Sequence, residues 1–143
     1  MSFSEAQILK KRSSDFLEES KHLIGIKKYD LAIFNLEQYC ELILKYAMLI
    51  KLGYYPRTHS LKELINKLSE VDDSLKGLVT DEMNLLYLGR LSDAYISTRY
   101  MPVEFDEVET KNIYRFVVEV FKKYVDKFWI KKMGVLKKLP FSL

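Results

Sequence analysis

The chain has 143 residues with 23 basic and 20 acidic side chains, a formal charge of +3; this fits one domain of ordinary size and argues against a general nucleic-acid coat. Hydrophobic residues at 48% and charged residues at 30% exclude a disordered polyelectrolyte, and only 5 Gly and 3 Pro argue against a turn-dense sandwich or barrel. The single cysteine, Cys40, excludes an internal disulfide and a Cys-based zinc site, so a cytoplasmic setting with no metal or cofactor is expected.

Residues Met1 to Arg12 are charged from Glu5 onward and lack the basic start and apolar stretch of a secretory leader. A first helix is expected from about Ser4 to Ile24, with Ser2 or Ser4 capping it and Gly25 stopping it. The second runs from about Tyr29 to Leu52 and is punctuated by Gly53 and Pro56. It is the most apolar stretch, yet Asn35, Glu37, Gln38, Glu41, Lys45 and Lys51 interrupt it, so no membrane span is expected. A short third helix starts at Ser60, where Ser60-Leu61-Lys62-Glu63 has capping-box spacing. Residues 72–80 read as a linker whose Thr80 caps a fourth helix, from about Asp81 to Thr98, and Pro102 keeps that helix from continuing.

The fifth helix, from about Asp106 to Lys132, carries Ile113, Phe116, Val117, Val120, Phe121, Tyr124 and Phe128 on one arc. Gly134 ends it, so 1–133 reads as one domain and 134–143 as a tail, loose or docked by Leu136, Leu139 and Phe141. From Glu119 onward seven lysines face only Glu119 and Asp126, a basic end with a weak preference for anions. Long helices with short connections predict an all-α fold, an antiparallel up-and-down four-helix bundle with an additional short helix.

Several polar residues are candidates for function. Asn35, Gln38, Glu41 and Lys45 share an arc of roughly 120° on the second helix. They read either as its solvent face, with Glu41 and Lys45 paired, or as a groove or dimer contact. On the fourth helix Arg90 lies on an apolar arc with Asp93 three residues on. It is either a paired, snorkelling arginine or a phosphate site, because a guanidinium meets two phosphate oxygens at once. Arg99 and Tyr100 join charge to an aromatic face at the helix exit, which suits a nucleotide or RNA backbone and equally suits a structural latch. His59 precedes a helix, where a hydrogen-bonding role is expected because a general base needs an orienting partner, and it is a further candidate for the groove or dimer contact. His22 reads as a surface residue near a helix end. There is no GxGxxG, P-loop or GxSxG motif.

Taken together, three landmarks resemble the HEPN family of small helical bundles. They are Tyr29-Asp30-Leu31-Ala32 followed by the Asn35, Gln38, Glu41 and Lys45 positions; Gly53 with Pro56-Arg57-Thr58-His59-Ser60-Leu61; and Tyr95-Ile96-Ser97-Thr98-Arg99-Tyr100-Met101-Pro102. The last is similar to a family Tyr-x-x-x-Arg-Tyr-Pro exit with Met101 inserted. The resemblance covers roughly Phe16 to Lys127.

It implies a homodimer whose interface builds a shared groove, and a separately encoded minimal nucleotidyltransferase as partner in a toxin–antitoxin-like module. Other members are metal-independent ribonucleases that carry Arg, four to six residues, then His. That motif is missing here: nine residues separate Arg12 from His22 and one separates Arg57 from His59. Anchored on Arg99-Tyr100, its two positions fall near Asp93 and Thr98, and neither side chain can replace the missing one. The expected function is therefore non-catalytic: nucleotide or RNA binding through Arg90, Arg99 and Tyr100, with Asp93 and Lys45 nearby, or service as the nucleotidyltransferase's partner subunit. The alternatives are a ribonuclease with an unorthodox site built on His59 and Arg90, and a dimeric scaffold in which every polar position is structural.

Overall fold

The computed structural model describes residues 3–101 and 104–137, and all regular structure among them is helical. In chain order the helices are α1 (Phe3–Gly25), α2 (Tyr29–Leu52), α3 (Leu61–Ser69), α4 (Gly77–Thr80), α5 (Glu82–Tyr100), α6 (Glu107–Phe116) and α7 (Lys122–Lys137). A 3-10 turn at Asp73–Leu75 precedes α4, and a π turn at Val117–Phe121 joins α6 to α7. The expected all-α bundle is thus present, with α1, α2, α5 and the α6–α7 rod as its long members.

Helix α2 lies at the centre because it is apolar nearly all round, which requires neighbours on every side. It packs against α1, α3, α5 and α6. Ile33, Leu36, Leu44 and Met48 are fully buried there, against Leu61, Leu64, Ile65 and Leu68 of α3, Leu91 of α5 and Phe121 of the last rod. Among the described residues no helix is long and apolar enough to cross a membrane.

The helix ends follow local chemistry, with corrections to the sequence reading. Helix α1 runs through Gly25, and its left-handed residue is Lys27 at φ 61°. The Lys28 N–H reaches Leu23 O and the Lys27 N–H reaches Ile24 O, so two orphan carbonyls are satisfied despite a side chain at the left-handed position. Gly53 does end α2, at φ 81°, with its N–H on Leu49 O. Ser60 accepts the Glu63 N–H as expected. The Glu63 carboxylate, however, takes the Thr58 hydroxyl instead of closing the capping box. Asp81, not Thr80, caps α5, accepting the Asn84 N–H, and the expected linker contains the 3-10 turn and α4.

The fifth expected helix is likewise interrupted. At the π turn the Lys122 N–H reaches back to Val117 O, which inserts one residue into the helical phase. Buried positions accordingly run Ile113, Phe116, Val117, Phe121, Val125 and Phe128, while Val120 and Tyr124 are only half-buried. Helix α7 then continues through Gly134 to Lys137, since a helix-interior glycine costs only about 1 kcal/mol. Ser2, Pro102, Leu139 and Phe141 lie outside the described residues, as does the side chain of Leu136. Met101 is extended at φ −125°, ψ 142°, the geometry favoured before proline.

Because Gly53 sits in the left-handed region with open space around it, Gly53→Ala tests backbone strain without a clash. The expected loss is about 1–2 kcal/mol in urea unfolding, with an unchanged denaturant slope.

Candidate functional site

The second helix brings Glu37, Glu41 and Lys45 to one side at i, i+4 and i+8. They do not form a solvent face: Glu37 is 0% exposed, Glu41 3% and Lys45 8%. This corrects the solvent-facing reading of Glu41 and Lys45. Loop 54–60 and α5 cover the stripe, and burial obliges each charge to find a partner. Glu41 Oε1 accepts from Lys45 Nζ at 2.7 Å and lies 2.7 Å from His59 Nδ1. Glu37 Oε2 accepts from Gln38 Nε2 at 2.7 Å. Glu37 Oε1 and Glu41 Oε2 are buried and receive no other donor, so one proton held between the two carboxyl groups satisfies both.

The environment decides where that proton resides. Burial pushes the Glu37 carboxyl up to about 9, aided by the hydrogen bond to Glu41 and the repulsion of its charge. Burial acts on Glu41 in the same sense, but hydrogen bonds from Glu37, Lys45 and His59 outweigh it and hold Glu41 below the usual carboxylate range. Glu37 is the protonated member and Glu41 the charged one. An ionised carboxylate only accepts, so Nδ1 of His59 carries a proton, and Nε2 keeps its lone pair in the neutral ring.

Aromatic stacking carries the site across to α5. The His59 ring stacks on Tyr95 at 4.3 Å between centroids, while 57% of the His59 side chain is exposed. The Arg99 guanidinium lies 4.5 Å from the same Tyr95 ring, 5.7 Å from Phe34 and 5.3 Å from Tyr100. Its hydrogen bond goes to Tyr95 O, and no carboxylate among the described residues forms an ion pair with it. Tyr100 is 73% exposed. Lys45 also lies 5.4 Å from the Tyr55 ring. A guanidinium, a largely exposed imidazole and an exposed phenol ring thus lie around Tyr95 at the end of α5.

Arg90 belongs elsewhere. Nine residues at about 100° each set it half a turn from Arg99 on α5. It pairs with Glu109 of α6, with Nε 2.6 Å from the carboxylate, lies 3.6 Å from Asp93, and covers the Phe105 ring at 4.7 Å. His59 and Arg90 therefore do not form the common constellation that one sequence alternative required. Asn35 also stays apart, its amide bonded to Leu31 O at 2.6 Å. Among the described residues no cluster of three His, Cys, Asp or Glu side chains is placed to hold a metal ion.

With this geometry, a model of the HEPN domain matches residues 6–128. The chain belongs to the HEPN family. No curated protein matches it. In this HEPN chain Glu37, Tyr95, Phe34 and Tyr55 were not singled out as site residues in the sequence. Glu37 was findable, because it completes an i, i+4, i+8 series of ionisable groups in an otherwise apolar helix. The stacking partners carried no comparable signal, since aromatic residues are ordinary core formers.

The shared proton makes a directional prediction. The folded HEPN domain keeps a proton on Glu37 up to about pH 9, whereas the unfolded chain releases it near the ordinary glutamate value. Stability from this group is fully present below that ordinary value and is lost as pH rises toward the folded value. Glu37→Gln, which mimics the protonated group, is expected to stabilise by about 1–3 kcal/mol at pH 8.5 and by much less at pH 5. Urea titrations at the two pH values measure the difference, and an equal gain at both would contradict a shared proton.

Proposed function

We propose that this HEPN domain binds a nucleotide or a single-stranded RNA backbone on the surface around Arg99, Tyr100 and His59, with no chemistry of its own. The observation that carries this is Arg99. It is an exposed guanidinium banked by three aromatic rings and paired with no carboxylate among the described residues. Such a group meets phosphate oxygens while Tyr100 offers a face for a base. Lys45 supports the site from beneath by holding Glu41, and Glu41 in turn orients His59. Arg90 and Asp93 enter this reading as a tie between α5 and α6.

The family implies the setting: a homodimer with a groove along the interface, and a nucleotidyltransferase encoded nearby whose partner subunit this chain would be, in a toxin–antitoxin-like pair. Asn35, half-buried on α2, is available to such a contact. Light scattering at twice the 16.9 kDa chain mass and co-purification with the product of the adjacent gene are the expected results.

A fluorescent ten-nucleotide RNA and a labelled ATP analogue test the binding surface by anisotropy. Arg99→Ala and Tyr100→Ala are each expected to weaken binding about tenfold, since one stacked base is worth about 1–3 kcal/mol. Arg90→Ala should leave affinity unchanged and lower the melting temperature. No saturable binding, or binding indifferent to Arg99, overturns the assignment.

A ribonuclease reading is favoured by one observation, the ordered hydrogen bond from His59 Nδ1 to Glu41, which leaves Nε2 as a base. Cleavage of the same RNA by the wild-type protein that is lost in His59→Ala would establish it. Intact RNA after long incubation would exclude it.

A further inference from the structure

Helix α5 is apolar on two sides. Leu88, Leu91 and Ala94 are buried in the bundle, yet Leu86, Ile96 and Tyr100 on the far side are 59%, 53% and 73% exposed. At about 100° per residue, Glu82, Leu86, Gly89, Asp93, Ile96 and Tyr100 fall within an arc of about 80° directly opposite Leu91. All six are exposed, and they are separated alternately by four and three residues, the repeat of a seam between two helices. Other large exposed apolar residues, such as Ile8, Val71 and Val108, stand singly on separate elements, which is ordinary for a protein surface. A stripe that runs the length of one helix is the pattern of a face that packs on something.

The order of residues along the stripe specifies the occupant. Its members are placed symmetrically about Leu91: Gly89 and Asp93 stand two residues on either side, Leu86 and Ile96 five, Glu82 and Tyr100 nine. A second α5 running antiparallel across a twofold axis at that level therefore meets each position with its counterpart. Leu86 then packs on Ile96 of the second copy. Gly89, with open space where a side chain would stand, leaves room for Asp93 of the second copy. Arg90 lies 3.6 Å from its own Asp93 with 39% of its side chain exposed, and it flanks the same level as a cation for that incoming carboxylate. Glu82 meets the phenol of the second Tyr100. A parallel pairing would instead set Asp93 on Asp93 and Glu82 on Glu82, and like charges facing each other across an interface are costly.

We propose that the exposed face of α5 is where a second copy of this chain docks, antiparallel and centred at the level of Leu91. This deepens the homodimer reading above, on which it rests, by assigning the surface and the register. Arg99 lies about 100° around α5 from the middle of the stripe, so it borders the seam and stays open. The twofold axis keeps both Arg99 groups on one side of the paired helices, about 24 Å apart along them. Two copies thus form one groove with a guanidinium toward each end, a step that rests on the nucleotide reading as well.

Light scattering of the full-length protein across a dilution series should give twice the 16.9 kDa chain mass. Leu86→Glu/Ile96→Glu changes two exposed side chains and should give the single-chain mass with an unchanged far-ultraviolet helix signal. Orientation is read with a short bismaleimide, which the buried native Cys40 does not reach. In the antiparallel pair, Leu86 of one copy is level with Ile96 of the other, whereas the two Leu86 positions, or the two Ile96 positions, are about 15 Å apart along the axis. An equal mixture of Leu86→Cys and Ile96→Cys proteins should therefore cross-link about fivefold more than either variant alone, since only the mixed pair is level. Arg99→Ala should stay a dimer, so its mass tests the pairing and its RNA affinity tests the nucleotide reading. The proposal is overturned by a wild-type monomer throughout the series, by a Leu86→Glu/Ile96→Glu protein that remains a dimer, or by cross-linking of either cysteine variant alone that matches the mixture. The first result removes the homodimer reading too, and the second leaves it standing on another face.

Discussion

A charged carboxylate in the middle of a buried helix needs donors close by, and Glu41 imposes that need on everything near it. Lys45 supplies one donor from the next turn of α2, His59 a second from the loop before α3, and Glu37 a third through the shared proton. Removing one partner of such a group typically costs several kcal/mol, because the remaining charge stays buried. Three stretches of chain distant in sequence are thereby joined, since His59 passes the connection to Tyr95 on α5 by stacking. The orientation of the exposed imidazole is thus set from inside the core, through a residue only 3% exposed.

What could be read in the sequence was what local chemistry determines. The ends of α2, the Ser60 cap and the phase of α6 all follow from residues within four positions of one another. What could not be read depends on pairs far apart. Arg90 and Glu109 are nineteen residues apart, and Glu41 and His59 eighteen, so spacing alone could pair Arg90 only with Asp93 and Glu41 only with Lys45. The polar stripe on α2 has the periodicity of a solvent face whether or not another element covers it. Periodicity locates a face on the helix and does not say what lies against it. The stop of α1 departs from the glycine signal for a related reason: glycine is the favoured left-handed residue, but Lys27 occupies that conformation two positions after Gly25.

The two ionisable surfaces differ in how their charges are balanced. On the Arg99 side, the negative charge is internal and matched, and the cation facing outward has only rings around it. In the cleft between α1 and α7, which Tyr39, Ile43, Val125 and Trp129 line, Lys10 and Lys21 are exposed and Lys122 is paired with Asp126. The first arrangement is rigid, because aromatic contacts fix the guanidinium. The second is looser, because lysine ammonium groups sit on flexible stems. A single central helix supports both, since its opposite faces lie within one apolar segment.

The π turn between α6 and α7 has a consequence for geometry at a distance. A continuous α-helix through Val117–Phe121 would be one residue out of phase beyond that point, a rotation of about 100°. Lys122, Val125 and Trp129 would then turn away together from Tyr39 and Ile43, and the cleft would lose one of its walls while the upstream core kept its packing. The wide turn thus works like an indexing notch. One extra residue, in a turn whose buried side chains are Val117 and Phe121, sets which side of the last helix faces α1.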